Sequence, residues 1–501
     1  MSEFSVALTT DTHNQLREHL LRADGQEDLA FVVWKPSMSD RRETAVIQQV
    51  VTPEADDRFV HGNVSFASTY FLRACAIASE AGGGIGLIHS HPGGRGWQGL
   101  SADDFAAEAG HSAQAKVLTG FPILGLTLAG RDANYSARIW RSHGPREWKP
   151  EWARNVRVVG DRMLVSRPSN SKSISARFQR RTIDAWGAET QQTLASLRVG
   201  VVGAGSVGSQ IVEALARTGF GEVVILDFDV VEDHNLDRIL NATARDARRR
   251  RGKAELAAAS ATDHSTNPQF VARWSEHSAV ETEGIALLKD CDIIFSCVDR
   301  PAGRASLNAL AYGHLIPVID GGVLVDPGRY SMRGAEWRAH VAGPGRRCLE
   351  CLGQFDPGLV QSDRDGLLDD PSYLAELPKD HVATRNENVY AFSAAAAADQ
   401  VLTALRMLVA PGGVADIGAQ LTHFSNGTTE FDIRNCEPGC PYNAMVGAAD
   451  AGGLPHGQRH IAAERSRAER SPSNSRTWMP RHIGSVAASV LVAVRNARRG
   501  R

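Results

Sequence analysis

Little in this sequence points outside the cell or into a membrane. Seven cysteines among 501 residues are too few for a disulfide scaffold. The opening "MSEFSVALTT" lacks a basic stretch followed by an apolar core, so no signal peptide is expected. The apolar run Ser485–Val494 is too short to span a bilayer. Charge of one sign is missing too. The 55 Lys and Arg face 57 Asp and Glu, and a net −2 makes no case for nucleic acid or an acidic membrane as partner. Internal repeats are absent. The expectation is a cytoplasmic protein that binds neither nucleic acid nor membrane.

The length predicts two or three domains, each able to bury its own core. Residues 1–145 alternate strand-like and helix-like pieces, such as "LAFVVW", "TAVIQQVV" and the helical "SFASTYFLRACAIASEAG". Residues 146–172 read as a polar linker with Pro and Ser. From 173 the order becomes strand, glycine turn, helix, strand, which predicts an α/β, Rossmann-like doubly wound parallel sheet to about residue 445. Residues 446–501 form a basic tail rich in Arg, Ala and Ser, read as mobile ahead of a small terminal element.

Within "HSHPGGRGWQGLSADD", His89 and His91 share one face of a strand, because side chains alternate. The Pro-Gly-Gly turn reverses the chain, and Ser101-Ala-Asp-Asp104 can return a carboxylate. Two imidazoles and one carboxylate leave a fourth zinc position open, as a catalytic site requires. Glu27, at the mouth of the first strand, is the candidate general base. Ser101 is a candidate donor to the developing oxyanion. These residues resemble the JAMM/MPN (Mov34-like) metalloprotease motif: a distant Glu, His-x-His-Pro, a spacer and Ser-x-x-Asp. The spacer is longer here than in eukaryotic members, and Asp104 rather than Asp103 keeps Ser-x-x-Asp. The resemblance covers roughly the first 145 residues. It implies zinc-dependent cleavage of a peptide or isopeptide bond at the tail of a ubiquitin-like protein.

The second signature is "GAGSVG", with Gly203, Gly205 and Gly208 between an apolar strand and a helix. Such glycines let backbone approach phosphate at a helix N-terminus. Alone they would equally suit an NAD dehydrogenase with Asp227 as its ribose acid. Asp229, Asn235, Arg238, Lys253 and Asp299 follow: acids, cations and a magnesium-type carboxylate suited to adenylate transfer. The set resembles the ThiF/MoeB family, related to ubiquitin-activating enzymes, over about residues 173–445. The resemblance implies Asp227 on ribose, Arg238 and Lys253 on phosphates, and Asp299 on Mg²⁺, with ATP as substrate. It also implies a homodimer in which Arg180, within "ARFQRRTIDAW", reaches the partner's nucleotide. The arginine run Arg248–Arg251 is either a nucleotide attractor or a solvated loop.

Cys348 and Cys351 ("CLEC") and Cys436 and Cys440 ("CEPGC") suit a structural zinc with four thiolates. Cys75, Cys291 and Cys297 read as packed residues. No cysteine lies between Cys351 and Cys436, where the family's thioester cysteine sits when present. Adenylation without a thioester on this chain is therefore expected. Together the resemblances imply a bifunctional enzyme acting on a ubiquitin-like protein with a glycine-ended tail, similar to bacterial ubiquitin-like modification systems, some of which serve antiphage defence. A conjugating-enzyme-like protein is a further expected partner. The alternatives are sulfur-carrier activation for biosynthesis and a non-catalytic binding scaffold.

Overall fold

The computed structural model describes residues 3–61, 63–144, 147–168, 176–328, 331–376, 387–413, 416–453 and 459–470. Two sheets organise them. The first contains β1 (Glu3–Thr9), β2 (Leu29–Met38), β3 (Arg42–Val51), β6 (Gly84–His91), β7 (Leu124–Ala129), β8 (Tyr135–Gly144), β9 (Glu147–Trp152), β10 (Val156–Val159) and β11 (Met163–Ser166). Their order is β11-β10-β1-β3-β2-β6-β7-β8-β9, with mixed directions. A separate hairpin, β4 (Arg58–His61) and β5 (Asn63–Phe66), stands beside this sheet. The helix Thr10–Leu20 packs with one core face of the sheet. Ser68–Glu80 and Ala102–Thr119 are the other two helices of this half, and Ser68–Glu80 packs into the other core face.

The second sheet comprises β12 (Arg198–Val202), β13 (Glu222–Leu226), β14 (Val271–Ser275), β15 (Ile293–Ser296), β16 (Val318–Asp326), β17 (Gly334–Ala342), β18 (Ala419–His423) and β19 (Thr428–Asp432). Its order, β14-β13-β12-β15-β16-β17-β18-β19, is parallel through β16 and antiparallel beyond. The chain reverses direction of travel between β12 and β15, the crevice where such sheets bind ligands at strand C-termini. The helix Tyr390–Val409 is apolar enough by composition to cross a membrane. It packs instead on β16 and β17 as a core helix.

Two boundaries differ from the sequence expectation. Residues 147–166 are not a linker: they are β9, β10 and β11, and the first unit runs to Ser166 rather than 145. β9 carries Pro150 because it is an edge strand, where a missing N–H is tolerated. β10 is a fully buried "VRVV" that pairs parallel with β1. Residues 146 and 169–172 of the expected linker lie outside the described residues. The tail is also partly built in. Residues 446–453 and the helix Ile461–Arg470 are packed, while residues 471–501 lie outside the described residues.

Buried charge joins the two sheets. Arg42 and Arg157 of the first half, both fully buried, reach Asp292 of the second at 2.6 and 3.3 Å. Asn155 adds an N–H to the same carboxylate, and Arg198 bridges Glu222 and Glu3 at 2.9 and 3.1 Å. Removing one partner would strand a buried charge, so this junction specifies how the halves meet.

Candidate functional sites

The first site grows from β6. His89 and His91 end the strand on one face, with Ser90 turned the other way. Their Nε2 atoms lie 3.1 Å apart. Asp104 comes from the first turn of the helix Ala102–Thr119, its carboxylate oxygens 3.3 Å from His89 and 3.6 Å from His91. Ser101 makes this possible. Its hydroxyl accepts the Asp104 N–H at 3.1 Å, and its own N–H donates to the Asp104 carboxylate at 2.9 Å. The Ser-x-x-Asp signature is thus also a capping box that aims the carboxylate. Glu108, one turn on, is buried and accepts from Arg138 and the Trp140 indole, pinning the helix from below.

Glu27 reaches the site through strand register. Leu29 of β2 pairs with His89, so continuing two places sets Glu27 opposite His91. Asp28 locks this: its N–H donates to Ser90 Oγ at 3.0 Å and its carbonyl accepts the Ser90 N–H. The buried Asp28 carboxylate is held by Arg58 at 2.6 Å and Arg22 at 3.4 Å. Asp104 raises the His91 pKa, and the Glu27 charge adds to the effect. Burial opposes ionisation of Asp104, but hydrogen bonds from His89 and His91 outweigh it and hold the carboxyl well below its usual range. Three donor atoms of His89, His91 and Asp104 lie within 4.8 Å of one another, and the His91 side chain is 22 % exposed. Two imidazole nitrogens facing each other beside an ionised carboxylate fit a divalent zinc with one open position. Asp103, the other acid of the pair, is exposed and outside this group.

The second site lies at the C-terminal ends of β12, β13 and β15. Gly203 has φ +88, and a Cβ there would sit 2.6 Å from the Cys297 carbonyl. A Cβ on Gly208 would lie 1.8 Å from the Gly203 carbonyl, whereas one on Gly205 would meet only open space. The loop is therefore closed below and open above, as close approach of a phosphate needs. Asp227 closes β13 against the loop: its carboxylate accepts the Ala204 N–H at 2.6 Å and the Asp229 N–H at 2.8 Å. Burial and the neighbouring Asp229 push the Asp227 carboxyl up to about 6, while Lys253 pulls the other way. Lys253 meets Asp229 at 3.0 Å. Burial works against its charge, but Asp227 and Asp229 outweigh that, and Asp299 also acts on it.

Asn235 is buried and accepts the Glu232 N–H, folding the turn that carries Arg238. Arg238 itself pairs with Asp237 at 2.9 Å and the His234 carbonyl. Arg250 and Arg251 of the arginine run make ion pairs within the chain, to Glu232, Glu469, Asp246 and Glu255. Arg180, on the helix Ala176–Trp186, is 86 % exposed and faces Asp184. It is not brought to this chain's own glycine loop.

Cys348, Cys351, Cys436 and Cys440 place four Sγ atoms within 4.8 Å of one another. The Cys348–Cys440 separation is 3.7 Å, and backbone N–H groups of Cys348 and Cys351 donate to Sγ atoms at 3.2 and 3.3 Å. Four converging sulfurs with N–H donors fit a closed tetrahedral zinc site. Cys75 and Cys291 are buried, and burial raises both thiols, the first to about 11. Cys297 is likewise raised by burial.

Residues 178–442 fit the ThiF family description, more than half of the chain. The chain belongs to the ThiF family. It is 31 % identical over 187 residues to "Adenylyltransferase and sulfurtransferase UBA4" of Yarrowia lipolytica, covering 37 % of this chain and 44 % of that protein. It is 30 % identical over 174 residues to "SAMP-activating enzyme E1" of Haloferax volcanii, covering 34 % and 61 %. It is 28 % identical over 165 residues to "Molybdopterin-synthase adenylyltransferase" of Escherichia coli, covering 33 % and 62 %. In each case the shared stretch spans less than two thirds of the relative.

Several supporting residues escaped the motif reading: Asp28, Arg58, Glu108 and Arg138. Only Asp28 left a trace in sequence, as an acid beside Glu27. The others pair across long separations that no local pattern records.

Proposed function

We propose that this protein activates the C-terminal carboxylate of a ubiquitin-like or sulfur-carrier protein by adenylation, and hydrolyses that protein's tail at a second, zinc-dependent site of JAMM type. The observation carrying the first activity is the Asp227–Asp229–Lys253 lattice under an open glycine loop in a ThiF-family chain. Asp227 would accept ribose hydroxyls. Lys253 and Arg238 would lie on the phosphates once Arg238 leaves Asp237. A substrate carboxylate oxygen then bonds to the α-phosphorus, the bond to the β-phosphate oxygen breaks, and pyrophosphate departs. Cations preorganised along that path stabilise the charge that builds on the phosphates. Asp299 would hold Mg²⁺, which supplies further neutralisation of that charge.

At the other site His89, His91 and Asp104 would hold zinc, which polarises water and the scissile carbonyl. Glu27 would take a proton from water and return it to the leaving amine. Ser101 keeps its O–H free to donate, because its oxygen already accepts from Asp104. The Yarrowia relative's name, which includes sulfurtransferase, favours sulfur transfer as the second reading, and the Haloferax name, an activating enzyme E1, favours the first. A cytoplasmic homodimer, with Arg180 acting across subunits and no thioester on this chain, completes the proposal. A conjugating-enzyme-like partner belongs to the modification reading.

The test is ATP–pyrophosphate exchange by the full chain with small glycine-ended proteins encoded beside its gene. Exchange that depends on one of them supports the proposal. Binding of NADH with no binding of Mg·ATP would overturn it.

A further inference from the structure

Phe228 separates Asp227 from Asp229, and the C-terminal helix Ile461–Arg470 grips its backbone. Ser466 Oγ and Arg470 Nη2 both donate to the Phe228 carbonyl at 2.5 Å. The C=O of Phe228 and the N–H of Asp229 belong to one rigid peptide plane. That N–H donates to Asp227 at 2.8 Å. Holding the carbonyl from the helix side therefore fixes the N–H toward Asp227. A rotated plane would break that bond and swing Asp229 away from Lys253.

The same segment touches the loops that follow β13 and β14. Arg470 pairs with Glu276 at 2.6 Å and Arg467 with Glu281 at 2.5 Å, both acids lying just past β14. Glu469 faces Arg250, ahead of Lys253. His460 meets the Phe228 ring edge-on at 5.3 Å, and the Arg300 guanidinium covers that ring at 5.9 Å. Arg300 follows Asp299 and is held by Asp363, which also lies 3.6 Å from His460. The loops after β13 and β14 are thus tied directly to residues 460–470, and Arg300, next to Asp299, is tied to them through Phe228 and Asp363.

We infer that the C-terminal helix is part of the ATP site, with Ser466 and Arg470 as positioning residues that act through the Phe228–Asp229 peptide. The inference rests on the adenylation reading above. It makes nucleotide affinity depend on a segment beyond the four-cysteine cluster, outside the span that fits the ThiF description.

Calorimetric binding of Mg·ATP and pyrophosphate exchange, both on the full chain, separate the possibilities. Ser466→Ala with Arg470→Ala should raise the KM and Kd for ATP about tenfold or more, since a neutral and a charge-assisted bond are lost, with kcat at saturating ATP nearly unchanged. Ser466→Ala alone removes no charge and should give about threefold, which keeps the test open should the double variant be insoluble. Arg467→Ala removes a helix ion pair without touching Phe228 and should shift ATP affinity far less. Equal shifts in Arg467→Ala and the Phe228-facing variants would reduce the helix to a structural dock and overturn the inference. Unchanged affinity, or tighter binding as expected of an obstructing plug, would overturn it too. Wild-type protein that binds no ATP would instead sink the adenylation reading itself.

Discussion

His89, His91 and Asp104 gather two nitrogens and a carboxylate from one strand end and one helix start, with His91 open to solvent. The four cysteines gather sulfurs from two loops far apart in sequence, and Cys348 and Cys440 are buried. On the proposed reading, the first group would keep a position for substrate, and the second would spend every ligand on joining chain segments. The difference separates chemistry from architecture, and substitutions should respect it. If the four thiolates hold a structural zinc, Cys348→Ser should cost more than about 4 kcal/mol of stability, because that buried site is lost. Its melting transition should fall while one zinc per chain stays bound to His89, His91 and Asp104. Two zincs in that variant would break the comparison.

Glu27→Gln should do the reverse. If the first site hydrolyses tails as proposed, a general-base contribution of about 10²- to 10⁴-fold should vanish, with melting and zinc content unchanged. Full hydrolysis would show that the base is elsewhere. The nucleotide site provides the third arm. Arg238→Ala should lower exchange by about 10²- to 10³-fold if its guanidinium moves from Asp237 onto phosphate. Tail hydrolysis should not respond, since Arg238 lies on the loop after β13, in the other half of the chain.

What could be read from sequence was the chemistry that neighbours write down. His89-x-His91 and Ser101-x-x-Asp104 sit close enough for one turn to bring together, and the structure groups His89, His91 and Asp104. The glycine loop and Asp227 likewise lie on consecutive elements of one strand–helix–strand unit. The strands at 147–166 were hidden because Pro150 and the charges of "PREWKPEW" suit an edge strand as well as a loop. Arg157 of β10 looks solvated in sequence, yet its partner is Asp292 of the other half. The C-terminal helix was masked in the same way. Arg467 and Arg470 read as surface charge until Glu281 and Glu276 come beside them from nearly two hundred residues away. Long-range pairing of buried charge leaves no periodicity to detect.

The smallest expected effect is a pH step at the nucleotide site. The Asp227 carboxyl stands near 6 because its pocket, and Asp229 beside it, disfavour the charged form against an ordinary value of 3.8. Between those two values the folded chain holds more protons than the unfolded one, so this group's contribution to stability falls as pH rises from 4 to 6. Nucleotide binding should run the other way. Only the ionised carboxylate can accept both backbone N–H groups and ribose hydroxyls, so ATP affinity should climb through pH 6 and level off above it. One unit below the midpoint about a tenth of the sites are ionised, so binding at pH 5 should be about tenfold weaker than at pH 7. Calorimetry of Mg·ATP across that range checks it. Asp227→Asn does not titrate, so it should bind weakly and without the step. A step that survives in that variant would assign the titration to the nucleotide rather than to the protein.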